Sequence, residues 1–185
     1  MVKKIILPAF LLALPSIVFT TVELFYLNAS LMTQQYSRYL SILNIALGIG
    51  LMFFTLNRFK KNDANGYASF KELFSYGQKV VLVWALIAAT AISVIIKTNE
   101  KALNEIIDKS VKFQVENISD KSGHISAKQK KTMDQMVAIQ KNPISLFVIN
   151  LVLILILGTL YNLVASGILK SRKPTVAESQ QTSSS

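Results

Sequence analysis

The run PISLFVINLVLILILGTLYNLVASGIL, residues 143–169, decides the class of this protein. From Ile144 to Leu169 it has no charged residue, and Leu, Ile and Val dominate it. Lys141 stands before it, and Lys170, Arg172 and Lys173 follow. At 1.5 Å per residue the charge-free stretch makes a helix about 39 Å long, more than the roughly 30 Å hydrocarbon core requires. It is a transmembrane helix, and it makes the chain an integral membrane protein.

Three more runs follow the same logic. Val80 to Ile96 is charge-free between Lys79 and Lys97. Tyr39 to Leu56 is also charge-free, with Ser41, Asn44, Gly48 and Gly50 inside it, and reaches about 27 Å as a helix. Ile5 to Leu27 follows Lys3-Lys4, is broken by Pro8 and Pro15, and contains Glu23. Its basic start fits a signal peptide. Its apolar body, however, exceeds the about 7–15 residues of such a segment, and no clear Ala-x-Ala site follows, so a retained helix is expected. Pro15 removes one helix hydrogen bond and crowds the Leu11 carbonyl, which predicts a kink of the kind membrane bundles tolerate.

These runs predict an all-α fold: one integral membrane four-helix bundle over residues 1–173, with spans near 5–27, 39–56, 78–98 and 144–169. Residues 28–38 form a short polar connection. Arg58, Lys60 and Lys61 are expected to stop the second span, and Asn62-Asp63-Ala64-Asn65-Gly66 is a strong turn cluster. Ser69-Phe70-Lys71-Glu72 has capping-box spacing. Phe70, Leu73, Phe74 and Gly77 share one face, which predicts an interfacial helical turn before the third span. Ala85, Ala89 and Ser93, and likewise Gly158, Asn162 and Ser166, place small or short polar residues every fourth position, where helix backbones can approach closely.

Residues 97–143 form the sizeable water-exposed part. No Gly or Pro occurs between Val80 and Ser122, so the third helix is expected to run outward to about Ile118. Asp120 to Gly123 would reverse direction, and Ser126 would start a return helix towards Pro143. The product is an extramembrane helical hairpin between the third and fourth spans. Leu103, Ile107, Val111 and Val115 form one stripe along it, a candidate partner-binding face. Residues 174–185 are polar and rich in Ser and Gln, an expected disordered tail.

Lys plus Arg outnumber Asp plus Glu by 20 to 10, giving a net charge of +10, while 51% of residues are hydrophobic. The basic residues flank apolar runs or fill one loop, with no separate basic face carrying interleaved aromatics. They therefore report membrane orientation, and no nucleic-acid partner is expected. Cysteine is absent, which excludes disulfides, thiolate nucleophiles and Cys-ligated metals. Close to the ends of the spans, Lys3, Lys4, Arg58, Lys60, Lys61, Lys79, Lys170, Arg172 and Lys173 lie on the side of the termini. Only Arg38, Lys97, Lys101 and Lys141 lie on the other. Basic residues next to a span resist translocation, so cytoplasmic termini and a periplasmic 97–143 segment are expected.

The layout resembles a family of bacterial four-span membrane proteins known as domain of unknown function 4199. The resemblance covers roughly residues 3–173. It rests on Lys3-Lys4, on Gly66-Tyr67-Ala68-Ser69-Phe70 after the second span, and on the charged helical loop. Lys141-Asn142-Pro143 and the Lys/Arg-rich stop after the last span complete it. The resemblance implies the topology and a bacterial inner membrane, and brings no activity with it.

Glu23 is the ionisable residue within a span, and intramembrane carboxylates are candidate proton or cation ligands. It lies some 10 Å from the middle of its run by helical rise, where interfacial water or a pairing with Arg38 or Lys97 can satisfy it. Together with Asn44, Asn150 and Asn162 it makes up the candidate intramembrane polar site. His124 is a lone loop histidine with no metal-ligand constellation around it, and Gly48-Ile49-Gly50 lacks the context of a phosphate loop. No catalytic, cofactor or metal site can be read, and enzyme activity is not expected. The expected function is that of an accessory or protein-interaction subunit in the lipid bilayer, with a membrane-protein partner or as a homo-oligomer. The alternative is a small proton, cation or solute transporter using Glu23.

Overall fold

The computed structural model describes residues 2–26, 33–99 and 142–171, with the isolated positions Asn104, Lys131, Gln135, Val137 and Ala138. Among these the protein is all helix and connecting turns. Its long helices are α1 (Val2–Tyr26), α2 (Thr33–Asp63), α3 (Phe70–Thr98) and α4 (Pro143–Leu169). Each is long and apolar enough to cross a membrane, over Lys3–Val22, Tyr39–Asp63, Phe70–Thr98 and Ile144–Leu169. The four-span, all-α reading therefore holds. The hairpin, its stripe Leu103, Ile107, Val111 and Val115, and the tail at 174–185 lie outside the described residues.

Around the bundle the order is α1, α3, α4, α2. The most extensive packing joins α3 to α4, followed by α1 on α3, while α2 closes the ring against α4 and α1. The buried residues explain this order. On α3, Leu73, Gly77, Val80, Val81, Trp84, Ala85, Ala88, Ala89 and Ile92 are buried, a band wide enough to serve two neighbours. On α4 the buried positions are Gly158, Tyr161, Asn162, Ala165 and Ser166, a single stripe at helical spacing. Most of its remaining bulky side chains, among them Leu153, Ile156, Leu160 and Leu163, are exposed, as befits surface turned to lipid.

Four boundaries differ from the sequence reading, the first being that α2 begins at Thr33, inside the stretch 28–38 expected to be a polar connection. Helix α2 does not stop near Leu56 but continues to Asp63. Charge ends the part of a helix that lies in hydrocarbon, not its hydrogen-bond ladder, and Lys60 and Lys61 in the last turn favour the negative end of the helix dipole. The expected interfacial turn at Phe70 to Gly77 is the start of α3 itself. It begins at Ser69, whose hydroxyl accepts from the Glu72 N–H at 3.3 Å while the Glu72 carboxylate accepts from the Ser69 N–H at 2.8 Å. Finally, α3 ends at Thr98 and does not run on unbroken to Ile118. Asn99 takes a non-helical conformation there, φ −119° and ψ 71°. The Asn99 N–H bonds the Ile96 carbonyl at 3.3 Å instead of the Ile95 carbonyl a continuing helix would offer it, and the Thr98 hydroxyl donates to the Val94 and Ile95 carbonyls at 3.0 and 2.9 Å.

The α2–α3 connection is tight. Asn65 and Gly66 both take positive φ, 50° and 83°, a pairing suited to Asn-Gly. The Gly66 N–H reaches the Lys60 carbonyl at 2.9 Å and the Tyr67 N–H the Ala64 carbonyl at 3.0 Å, folding the chain back towards the membrane. At the other end of the connection to α4, the Asn142 side chain caps the helix by accepting from the Ile144 N–H at 2.9 Å, with Pro143 in the first turn.

Candidate functional site

Polar side chains of α3 and α4 meet on the seam between these helices, while Thr55 of α2 is also buried. Asn162 is fully buried, and its amide donates to the Phe74 carbonyl at 2.9 Å. It also reaches the Gln78 side-chain oxygen at 3.5 Å. Gln78 in turn donates to the Thr159 hydroxyl at 3.1 Å, and the buried Ser166 hydroxyl donates to the Asn162 carbonyl oxygen at 3.1 Å. Each polar atom has an internal partner, which hydrocarbon surroundings demand. The group is uncharged, and its hydrogen bonds join α3 to α4. Interhelical hydrogen bonds of this kind contribute about 0.6 kcal/mol on average and up to about 1.7 kcal/mol.

Close approach makes these bonds possible. Gly77 faces Asn162 so tightly that a Cβ there would lie 2.5 Å from the amide carbon. One step along the seam, a Cβ on Gly158 would lie 2.6 Å from Val81 Cγ1 and 2.8 Å from Trp84 Cζ3. On the other flank of α4, Gly48 of α2 lies against the Tyr161 ring. Trp84 and Tyr161 stack at 6.2 Å between centroids. Trp84 Nε1 and Ser93 Oγ are buried without a hydrogen-bond partner among the described residues.

The four residues expected to form an intramembrane polar site do not assemble as one. Asn162 lies towards the end of α4 that meets Lys60 of α2, whereas Asn150 is about 18 Å further along the helix at 1.5 Å per residue. Asn44 lies in the half of α2 remote from Asp63, and Glu23 in the last turn of α1, so both belong to the same end as Asn150. Asn44 and Asn150 are half-buried, and the Glu23 side chain lies outside the described residues. Gln78 and Thr159 were missed by sequence reasoning, and Gly77 was placed on an interfacial face and not against α4. Thr159 shares a helix face with Asn162 and Ser166, a spacing that could have marked it, but nothing in α4 alone points to its partner on α3.

The end of the bundle near the chain termini is locked by a second set of contacts. Pro8 has no N–H to offer the Lys4 carbonyl, and the Tyr76 hydroxyl donates to that carbonyl at 2.7 Å in its place. Lys4 pairs with Asp63, and Phe59 stacks on Tyr76 with centroids 4.1 Å apart. The Lys60 ammonium donates to the Leu169 carbonyl at 2.9 Å, capping the C-terminus of α4 from α2. Beyond it, the Ser171 N–H donates to the Ala68 carbonyl at 2.9 Å and the Ala68 N–H to the Ser171 hydroxyl at 3.3 Å.

Among the described residues no three His, Cys, Asp or Glu side chains are grouped to hold a metal ion. No curated protein and no solved structure matches the chain. The family model described as "Protein of unknown function (DUF4199)" matches residues 9–171, a range that takes in most of α1 and the whole of α2, α3 and α4, and the chain belongs to that family.

Proposed function

We propose that this protein is a non-enzymatic subunit of a membrane assembly, built to hold the segment between α3 and α4 at the membrane surface for a protein partner. The observation that carries this is the packing of the frame. The two helices that bracket the segment are the most extensively packed pair in the bundle, along a seam buried from Leu73 to Ile92 on α3. Gln78, Thr159, Asn162 and Ser166 are linked along it by hydrogen bonds. A fixed frame lowers the ordering cost of presenting a binding element. Asn104, Lys131, Gln135, Val137 and Ala138 are helical, in keeping with a helical segment. In this proposal the membrane is the bacterial inner membrane, the termini are cytoplasmic, and residues 97–143 are periplasmic.

The test is purification in mild detergent of the full chain beside a variant with Leu103, Ile107, Val111 and Val115 all changed to Ser. A stoichiometric companion held by the wild type and lost from the variant is the expected result. Transport through Glu23 is the competing function. It predicts a proton or cation flux in proteoliposomes that Glu23→Gln abolishes, and that result together with no companion would overturn the proposal.

A further inference from the structure

The end of the bundle that carries the termini has one feature that neither the seam nor the loop explains. A groove of about 410 Å³ opens between α1 and α2, backed by Tyr76 of α3. Its rim holds Lys3, Arg58 and Asn62, all exposed. Its deeper walls are Leu7, Leu11 and Phe54, which are 53%, 38% and 58% exposed. From Lys3 to Leu11 the groove descends about 12 Å by helical rise, from the start of the first span into the hydrocarbon. It is polar at headgroup depth and apolar at acyl-chain depth.

The charges at the rim do not cancel. Lys4 and Asp63 also line the groove, and they are paired with each other. Asp63 is the acid among the described lining residues, so within this lining Lys3 and Arg58 face the opening without a carboxylate of their own. The local contacts keep the groove open at this level. Tyr76 is tied to the Lys4 carbonyl that Pro8 leaves free, and Phe59 is stacked on Tyr76, which fixes the back wall.

We propose that this groove binds an anionic glycerophospholipid. Arg58 offers a planar fork to the phosphate, Lys3 a second positive charge, and Asn62 an amide donor. Leu7, Leu11 and Phe54 receive the first part of an acyl chain. A zwitterionic lipid has the same phosphate, but it would bring its own ammonium group against Lys3 and Arg58. The net negative charge of the headgroup is therefore the discriminating feature. This site is independent of the loop and of the accessory-subunit proposal.

The test uses the full chain in neutral detergent, titrated with phosphatidylglycerol, phosphatidylcholine or soluble glycerol phosphate and read by native mass spectrometry. Saturable binding of phosphatidylglycerol is expected, with phosphatidylcholine and glycerol phosphate both weaker. Arg58→Gln and Lys3→Gln should each weaken phosphatidylglycerol binding about fivefold, the factor for one basic residue at an anionic lipid surface. Lys61→Gln removes a charge from the same turn of α2 outside the groove and should leave binding unchanged. If Arg58→Gln unfolds the bundle, Lys3→Gln decides alone. Equal binding of the two lipids overturns the proposal, as does an equal loss with Lys61→Gln, which would mean a diffuse surface charge. Glycerol phosphate binding as tightly as the lipid overturns it in favour of a free-phosphate site.

Discussion

Replacing Gly77 with Ala adds one methyl group where α3 and α4 touch. Its carbon would lie 2.5 Å from the Asn162 amide carbon and 2.9 Å from its nitrogen. The Asn162 side chain is fully buried and held by the Phe74 carbonyl, so the helices must separate or the amide must give up that bond. Overpacking of this kind costs about 1–3 kcal/mol. Gly50→Ala is the control, since nothing lies within 4 Å of a Cβ there. It should not destabilise, and can gain up to about 1 kcal/mol from the better helix propensity of Ala. Asn162→Ala removes the hydrogen bonds but also the obstacle, and alone should cost about 1–2 kcal/mol from lost bonds and a small void. The double variant Gly77→Ala/Asn162→Ala should then be less damaged than the sum by about 1–2 kcal/mol. Unfolding by SDS in mixed micelles can be followed through Trp84, the single tryptophan, which is 4% exposed. Strict additivity, or a Gly77→Ala variant as stable as Gly50→Ala, would show that the seam is not held by this contact.

The Tyr76 hydroxyl should matter because of Pro8. Tyr76→Phe is expected to cost about 1 kcal/mol in the wild type and much less in a Pro8→Ala background, where Ala supplies the missing N–H to the Lys4 carbonyl. An equal cost in both backgrounds, measured by the same SDS titration, would contradict this. For the segment between α3 and α4, hydrogen exchange on the solubilised protein should find protection at 100–118 and 127–140 and fast exchange at 120–125. Uniformly fast exchange across 97–143 would leave a mobile spacer, and protection seen only with a bound companion would make it an element that folds on contact.

The spans were legible because hydrocarbon tolerates so little charge: a run such as Ile144 to Leu169 has few other readings. The cap at Ser69 was legible too, since Ser69 and Glu72 carry their capping geometry in their spacing, although the span was expected to start near 78. Helix ends were harder. The stop at Thr98 comes at Asn99, which leaves the helical conformation and bonds back to the Ile96 carbonyl, and not at the Gly or Pro that usually mark an end. Helix pairing was not legible at all. Helix α4 is apolar on every side, because lipid and bundle interior make the same demand, so periodicity could not show which face turns inward. Gly158, Asn162 and Ser166 announced a close approach, but only the fold could say that Gly77, Gln78 and Trp84 stand opposite.

Everything proposed for this protein depends on four spans that place the segment between α3 and α4 on one side of the membrane and the basic end of the bundle on the other. The chain has no cysteine, so a single introduced thiol reports cleanly. Lys121→Cys and Arg172→Cys should be challenged separately with a membrane-impermeant thiol reagent on cells whose outer barrier has been made permeable. Labelling at position 121 and none at position 172 is the predicted result. The reverse pattern would invert the orientation, and labelling of both would contradict the four-span topology itself.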